Sequence, residues 1–308
     1  MATYKLATCQ TSKGKIGPAL VVGNNVFPFA NLPDFSGYLA MLDLLEDWLA
    51  AEPKIAFAAA RLQNGQGGEP ASSTVFLAPV LYPSAIYCAG ANYGDHVLEM
   101  ALAKGRQPPP DPHTLGLPPW HFLKSPRSIT GPNTSVKMPA HTKKLDWEIE
   151  LAAVIGRPAK DVPLARALDF VAGYTIANDL SARDLSIREA VQVGSGFRHD
   201  WIGQKCFDGA CPLGPWIVPA KQIPNPQKLA LKLSVNGVVK QDSNTSEMIF
   251  TLAEQISHLS SCITLYPGDL ILTGSPAGVG IGRGEFLKPG DKLELSIESI
   301  GTLNTNIT

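Results

Sequence analysis

Two glutamates in one apolar segment are the first candidates for chemistry. Residues 146–155 read Asp-Trp-Glu-Ile-Glu-Leu-Ala-Ala-Val-Ile, which is typical of a core strand. Because alternate side chains of a strand share a face, Glu148 and Glu150 should point the same way. Two adjacent buried carboxylates need a cation or strong donors nearby, so from this motif alone a solvent-exposed face is the simpler alternative.

A third carboxylate, Asp179, stands at the end of the apolar run 170–177, which predicts a second strand. Together with Glu148 and Glu150, it would form a site with oxygen ligands only. Such a site suits Mg²⁺, Mn²⁺ or Ca²⁺ better than Zn²⁺.

A histidine and a glutamate three residues apart could form a base. On a helix, His96 and Glu99 can touch, and the carboxylate would orient the imidazole and raise its basicity. The free ring nitrogen could then take a proton from water. The alternative is an ordinary surface contact.

Lys205 lies among apolar residues, since Trp201, Ile202 and Phe207 are close in the chain. A lysine in such surroundings could bind an oxyanion. The alternative is a lysine whose charged end reaches the solvent.

Four alternating glycines at 278–284 invite a dinucleotide-binding interpretation. The spacing fails because Arg283 and Glu285 interrupt it and no helical pattern follows, so we expect no nucleotide cofactor. The turn is more consistent with backbone amides and Ser275 approaching a carboxylate ligand.

Composition narrows the classes of function. The 308 residues carry 26 Lys and Arg against 27 Asp and Glu, so there is no basic footprint for nucleic acid. No apolar run is long enough to span a membrane, and residues 1–10 lack the apolar stretch of a signal peptide. The five cysteines are odd in number and scattered, which favours a reducing, cytoplasmic location.

The frequent glycines and prolines favour many short strands and turns. Residues 1–80 look like a small separate unit, with a helix over 38–49 that Pro53 should end. Asn236-Gly237 predicts a hairpin over 229–239, and the spacing of 246–261 predicts a helix. The proline-rich segment 107–119 is typical of a surface loop that could act as a lid.

Taken in chain order, these segments resemble the fumarylacetoacetate hydrolase family, and in particular its smaller, acylpyruvate-hydrolase-like branch. The likeness covers about residues 80–300. The matching segments are Asn92-Tyr93 through His96 and Glu99, Phe122-Leu123-Lys124-Ser125-Pro126, Glu148-x-Glu150, Asn178-Asp179 through Asp184, Lys205-x-Phe207-Asp208, Val235-Asn236-Gly237, and Leu272-Thr273-Gly274-Ser275-Pro276 with Gly278-Val279-Gly280.

The resemblance implies an α+β, β-rich fold. Its core would be a mixed β-roll over 81–308 with short flanking helices, preceded by a small N-terminal α+β domain over 1–80. It also implies a homodimer and one divalent cation per subunit, Mg²⁺ or Mn²⁺.

The resemblance also assigns roles to individual residues. It implies Glu148, Glu150 and Asp179 as metal ligands, and His96, Glu99 and Lys205 as catalytic residues. It implies substrate contacts for Arg183, Lys124 and Ser275. Two departures stand out: Ser275 replaces the family's usual threonine, and the segment 103–121 is longer and richer in proline.

The expected activity is hydrolysis of a C–C bond in a 1,3-diketo acid such as an acylpyruvate or fumarylpyruvate, through a metal-stabilised enolate. Decarboxylation of an oxaloacetate-type 2-oxo acid, hydration and isomerisation remain alternatives on the same site. A non-catalytic protein that binds carboxylates through a metal is the alternative of another class. It would have no use for His96, Glu99 and Lys205.

Overall fold

The computed structural model describes residues 3–11 and 14–308. Residues 1–2 and 12–13 of the predicted N-terminal domain lie outside the described residues. In the described part of the chain, no helix has both the length and the apolar character needed to cross a bilayer.

The strands, in chain order, are β1 (Lys5–Gln10), β2 (Ile16–Val22), β3 (Asn25–Pro28), β4 (Glu69–Pro70), β5 (Val75–Leu77), β6 (Ile86–Ala89), β7 (His121–Lys124), β8 (Ile129–Thr130), β9 (Thr134–Val136), β10 (Leu145–Asp146), β11 (Ile149–Ile155), β12 (Val171–Asn178), β13 (Ser181–Ala182), β14 (Cys211–Pro219), β15 (Ala230–Val235), β16 (Val238–Asn244), β17 (Leu270–Leu272), β18 (Lys292–Ile297) and β19 (Gly301–Ile307). The α-helices are α1 (Met41–Glu46), α2 (Trp48–Arg61), α3 (Gly94–Ala103), α4 (Trp201–Lys205), α5 (Leu252–Cys262) and α6 (Gly280–Arg283).

Strand pairing makes one large mixed sheet, one smaller five-stranded sheet and the two-stranded pair β10–β13 among the described residues. The large sheet runs β4-β3-β2-β1-β14-β12-β11-β17-β6-β7, and β5 and β8 pair at its side. The smaller sheet runs β16-β15-β18-β19-β9. Most pairs are antiparallel, but β17–β6, β8–β14 and β9–β19 are parallel. The predicted α+β, β-rich class with mixed sheets is confirmed.

Strand β11 lies at the centre of the large sheet and is buried on both faces. Ile149, Leu151 and Ala153 belong to the apolar core that also contains residues of the smaller sheet. Ala152 and Val154 belong to a second core on the opposite face. Fully burying a valine, leucine or isoleucine side chain stabilises the fold by about 1.5–3 kcal/mol. The period of two therefore places Glu150 on the face of Ala152 and Val154.

The N-terminal region shares both sheet and core with the rest of the chain. Leu6 of β1 pairs with Ile217 of β14. Leu44 and Trp48 pack in the same core as Val154. The division into 1–80 and 81–308 stays a prediction.

The helix predicted over 38–49 is wrong in its bounds. It is broken at Asp47 into α1 and α2, and α2 continues to Arg61 with Pro53 inside it. Proline removes one hydrogen bond, to the carbonyl of Leu49 four residues earlier. Leu49 is exposed, so solvent can hydrate that carbonyl and the helix continues.

The predicted hairpin is confirmed by β15 and β16. Asn236 and Gly237 between them have φ angles of 52° and 78°, as a tight hairpin turn requires. The helix predicted over 246–261 begins only at Leu252, where Thr251 and Glu254 form a capping box. The backbone N–H groups of Ile249 and Phe250 are bonded to Asn92, which holds those residues outside the helix.

Candidate active site

The three predicted metal ligands meet where β11 begins and β12 ends. Ile149 is opposite Asn178 in the antiparallel pair, and the N–H of Asp179 donates to the carbonyl of Glu148 at 2.9 Å. Glu148, Glu150 and Asp179 each offer a carboxylate oxygen, and these oxygens lie within 4.8 Å of one another. We call these three residues the carboxylate wall. Their exposures of 7%, 1% and 1% show that the solvent-exposed alternative is wrong.

Two buried lysines neutralise part of the carboxylate wall. Lys205 Nζ donates to Glu148 at 2.8 Å and to Asp179 at 2.5 Å. Lys124 Nζ donates to the other oxygen of Asp179 at 2.6 Å. Burial alone lowers the pKa of Lys205, but the two carboxylates raise it above its ordinary value. Lys205 is therefore a buried ammonium, and the solvent-facing alternative for it is wrong.

Arg183 is a third cation at the site, and Asp146 fixes its position. Its Nε donates to Asp146 at 2.8 Å, and its terminal nitrogen pairs with Glu148. Asp146 is fully buried and also accepts the backbone N–H of Gly280 and Ile281. Burial raises the pKa of Asp146, although Arg183 opposes that rise.

The sequence interpretation assigned no role to Asp146. A signal was present, because residues 146, 148 and 150 alternate along one segment.

Glu150 differs from its two neighbours in the wall. In the part of the chain that the structure describes, no lysine or arginine pairs with it, and the Gly274 N–H donates to it at 2.6 Å. Burial, together with the charges of Asp179 and Glu148, raises the pKa of Glu150 well above its usual range. A divalent cation at this position would favour the ionised form of Glu150, which burial and the neighbouring carboxylates disfavour. The oxygen-only donor set fits Mg²⁺ or Mn²⁺.

The predicted dyad stands on α3, with its histidine facing the same cavity. His96 Nδ1 lies 3.8 Å from a Glu99 oxygen, which also accepts the Gly278 N–H at 2.9 Å. Burial raises the pKa of Glu99, but the His96 imidazole and this N–H outweigh it and the net pKa is lowered. Glu99 is therefore an ionised partner for His96.

The glycine-rich turn has a role different from the one predicted. Its amides at Gly278, Gly280 and Ile281 donate to the protein's own carboxylates, Glu99 and Asp146. These amides are therefore already bonded within the protein. Ser275 does face the cavity, and its hydroxyl accepts a hydrogen bond from buried Gln241 at 2.9 Å. Gln241 is a further supporting residue that the sequence did not reveal.

An aromatic wall completes the cavity. The rings of Trp120 and Phe122 lie 5.7 and 5.4 Å from the ring of Trp201, and Lys205 Nζ lies 5.1 Å from the Phe122 ring centre. The sequence placed Trp201 near Lys205 but gave no sign of Trp120.

The cavity has a volume of about 150 Å³. The predicted site residues that line it are His96, Glu148, Glu150, Asp179, Arg183, Lys205 and Ser275. Lys124 and Glu99 are not among its lining residues. Lys124 contacts Asp179, and Glu99 lies beside His96. The structure thus brings all nine predicted residues to one place.

The family model of the fumarylacetoacetate (FAA) hydrolase C-terminal domain matches residues 85–308 of the sequence. The chain belongs to the fumarylacetoacetate hydrolase family. The mitochondrial oxaloacetate tautomerase Fahd2a of Rattus norvegicus is 39% identical over 236 residues, which are 76% of this chain and 69% of that protein.

Two solved structures of family members carry different reactions in their names. One is the 2-hydroxyhepta-2,4-diene-1,7-dioate isomerase of Mycobacterium marinum, with a TM-score of 0.71 and 32% identity over 99% of this chain and 98% of that chain. The other is the maleylpyruvate hydrolase of Sphingobium sp. SYK-6, solved with manganese(II) and pyruvate. Its TM-score is 0.74, with 26% identity over 99% and 98% of the two chains. The family therefore includes hydrolases, isomerases and tautomerases, and this chain carries a candidate acidic metal site.

Proposed function

We propose that this family member is a metal-dependent hydrolase that cleaves a C–C bond in a 1,3-diketo acid of the acylpyruvate type. The observation that carries the proposal is one small cavity lined by His96, the carboxylate wall and two cations. A protein that only bound a carboxylate would need no histidine–glutamate pair beside the ligand.

The binding half of the proposed site holds the 2-oxo acid end of the substrate. A bound Mg²⁺ or Mn²⁺, held by Glu148, Glu150 and Asp179, would polarise the substrate's keto oxygen as a Lewis acid. Lys205 and Arg183 offset the negative charge of the wall, so that an anionic substrate can enter. Ser275 offers a further hydroxyl at the cavity.

The chemical half of the site is His96 with Glu99. His96 takes a proton from water while the water oxygen bonds to the distal carbonyl carbon. Glu99 stabilises the imidazolium that forms. The bond between that carbon and the adjacent methylene then breaks, and its electron pair passes into the enolate of the 2-oxo acid. Lys205 stabilises this charge, and the proton held by His96 goes to the methylene carbon, which gives a carboxylic acid and a 2-oxo acid.

A second candidate is a reaction of an oxaloacetate-type 2-oxo acid. It would be either proton transfer without cleavage of a C–C bond, or decarboxylation. The names of the rat relative and of the Mycobacterium marinum isomerase favour it. The same cations would hold the substrate, and His96 would move a proton between carbon and oxygen. Hydration of a dienoate would use the same groups.

The homodimer and the cytoplasmic location stay proposals. The apolar side chains of Val193, Phe197 and Ile202 are exposed, and a subunit interface is one place where such side chains would be covered. Sedimentation velocity would test the dimer. The rat relative is mitochondrial, so location needs its own measurement.

The deciding experiment follows acetylpyruvate, fumarylpyruvate, oxaloacetate and a non-acidic 1,3-diketone by NMR, with Mg²⁺, Mn²⁺ or EDTA. The hydrolase proposal requires metal-dependent appearance of two fragments from an acylpyruvate. CO₂ from oxaloacetate alone, or faster loss of its enol with no change in mass, supports the second candidate instead. His96→Gln should remove the activity, and His141→Gln, at an exposed histidine outside the cavity, should not.

A further inference from the structure

A second and larger cavity, of about 720 Å³, adjoins the catalytic one. One side is the face of α3 at Val97 and Leu98, which lie between His96 and Glu99 in the chain. The proline-rich segment 108–118 forms another side, and residues 246–250 close the third. We call it the apolar pocket.

The apolar pocket shares a wall with the catalytic cavity. Gly90, Ala91 and Trp120 line both. A Cβ atom on Gly90 would lie 1.8 Å from the Trp120 ring, so the ring rests directly on the backbone there. The Gly90 N–H also donates to the Trp120 carbonyl at 3.1 Å, which ties this shared wall together. A substrate tail that passes Trp120 from the catalytic cavity would therefore enter the apolar pocket.

The lining of the apolar pocket differs in charge from the catalytic cavity. It is mostly proline, leucine and other apolar side chains, and its charged members are Asp111, Glu247 and His113. His113 is already held between Asp111, at 2.9 Å, and Glu254, at 3.1 Å. No lysine or arginine is among the described residues that line it. A second carboxylate on the substrate would meet two acidic residues and no free cation.

We propose that the apolar pocket binds a neutral, apolar tail on the distal side of a 2-oxo or 2,4-dioxo monocarboxylic acid. This inference rests on the proposed function, and it narrows the substrate class. The favoured substrates are acylpyruvates with an alkyl or aryl tail, and acids that carry a distal carboxylate, such as fumarylpyruvate, are disfavoured.

The test measures binding, so that it does not depend on which reaction occurs. Calorimetry compares 2-oxo monocarboxylic acids of increasing chain length with 2-oxo dicarboxylic acids of matched length, on protein with Mn²⁺ and with EDTA. Affinity for the monoacids should rise about threefold to fourfold per added methylene. The slope should persist without the metal, because the pocket does not involve it. Equal affinities along the series, or tighter binding of the diacids, would overturn the proposal.

Two variants of matched chemistry sharpen the result. Leu117→Lys adds a cation to the lining of the apolar pocket at an exposed leucine. Leu102→Lys adds the same charge on α3, at an exposed leucine outside the lining residues. The first should lower affinity for long monoacids at least about tenfold and raise it for diacids, and the second should change neither. Equal effects of both variants would count against the pocket.

The two failures are distinguishable. If acylpyruvates are not cleaved but the chain-length dependence appears, the tail pocket stands and the reaction assignment falls. If acetylpyruvate is cleaved and affinity ignores tail length, the reaction stands and the tail pocket falls.

Discussion

The carboxylate wall and helix α3 hold the two halves of the proposed site in different ways. The wall residues are almost fully buried at the ends of central strands, and their partners reach them from distant parts of the chain. On α3, the side chains of His96 and Glu99 are 16% and 22% exposed, and His96 Nδ1 has no hydrogen bond in the structure. Every residue of the carboxylate wall is held by hydrogen bonds, whereas the proposed base, His96, stands on the more exposed helix α3.

This difference separates the residues proposed to bind the metal from the residues proposed to transfer protons. A buried charge network holds its geometry because breaking one partner leaves another charge unpaired, at a cost of about 3–5 kcal/mol. His96 is partly exposed and its Nδ1 has no hydrogen bond, so this side chain can be removed without such a cost. Substitutions of Glu148 and Asp179, which pair with cations, should therefore alter metal binding and stability together, and substitutions on α3 should alter rate alone.

The largest effect is expected for Glu150→Gln. The variant should lose metal-dependent turnover by about 10³ or more, since the electrostatic stabilisation of the enolate is lost. The metal-free protein should stay as stable or become more stable, because glutamine keeps the shape of a buried carboxyl group whose ionised form is disfavoured there by burial and by the neighbouring carboxylates. Saturating Mn²⁺ at a hundred times its Kd should stabilise the wild type by about 2.7 kcal/mol and the variant not at all. Thermal unfolding with and without Mn²⁺ measures this, and Glu46→Gln, at an exposed glutamate, is the control. A variant with the wild-type response to Mn²⁺ would remove Glu150 from the metal site.

His96→Ala should lower kcat by about 10²–10⁴, as expected for loss of a general base. The midpoint of thermal unfolding and the affinity for Mn²⁺ should not change, because His96 Nδ1 has no hydrogen bond to lose. Steady-state kinetics and a Mn²⁺ titration test both statements, with His141→Ala as the control. A wild-type rate would mean that the dyad is only a surface contact.

A smaller, more selective effect is expected at Asp146→Asn. Losing the charge behind Arg183 should raise KM for an anionic substrate about 10- to 100-fold, with a smaller change in kcat, since hydrogen bonds to charged groups contribute about 1.5–3 kcal/mol. A neutral 1,3-diketone should show no such rise. Equal losses with both substrates would indicate general damage to the fold.

The smallest effect concerns the contact between the proline-rich segment and α5. Hydrogen bonds to Asp111 and Glu254 raise the pKa of His113 above its ordinary value, and both ring nitrogens can donate only when the ring is protonated. The contribution to stability is therefore fully present below about pH 6.5 and is lost as the pH rises through the raised folded-state pKa.

The excess thermal stability of wild type over His113→Gln should be largest below about pH 6.5 and should vanish as the pH rises through the raised pKa of His113. It should be small, because these groups are exposed and solvent screens them. A difference that stays constant with pH would show that protonation of His113 plays no part.

Local sequence patterns predicted many of the residues of the site. Alternation placed Glu148 and Glu150 on one face, and the end of an apolar run placed Asp179 near them. Helical spacing brought His96 next to Glu99. These predictions succeeded because each depends on residues a few positions apart. The same reasoning misplaced the ends of two helices. At α5 the reason is a distant contact, because Asn92 holds Ile249 and Phe250 outside the helix.

The pattern of residues along the chain was enough to predict which strand side chains share a face and that the chain resembles the family. The burial of the carboxylate wall, the hold of Asp146 on Arg183 and the position of Trp120 between a charged cavity and an apolar one became visible only in the folded chain. These features depend on contacts between residues that are far apart in the sequence. Lys124 reaches Asp179 across 55 positions and Gly274 reaches Glu150 across 124, and no periodicity in the chain encodes such pairings.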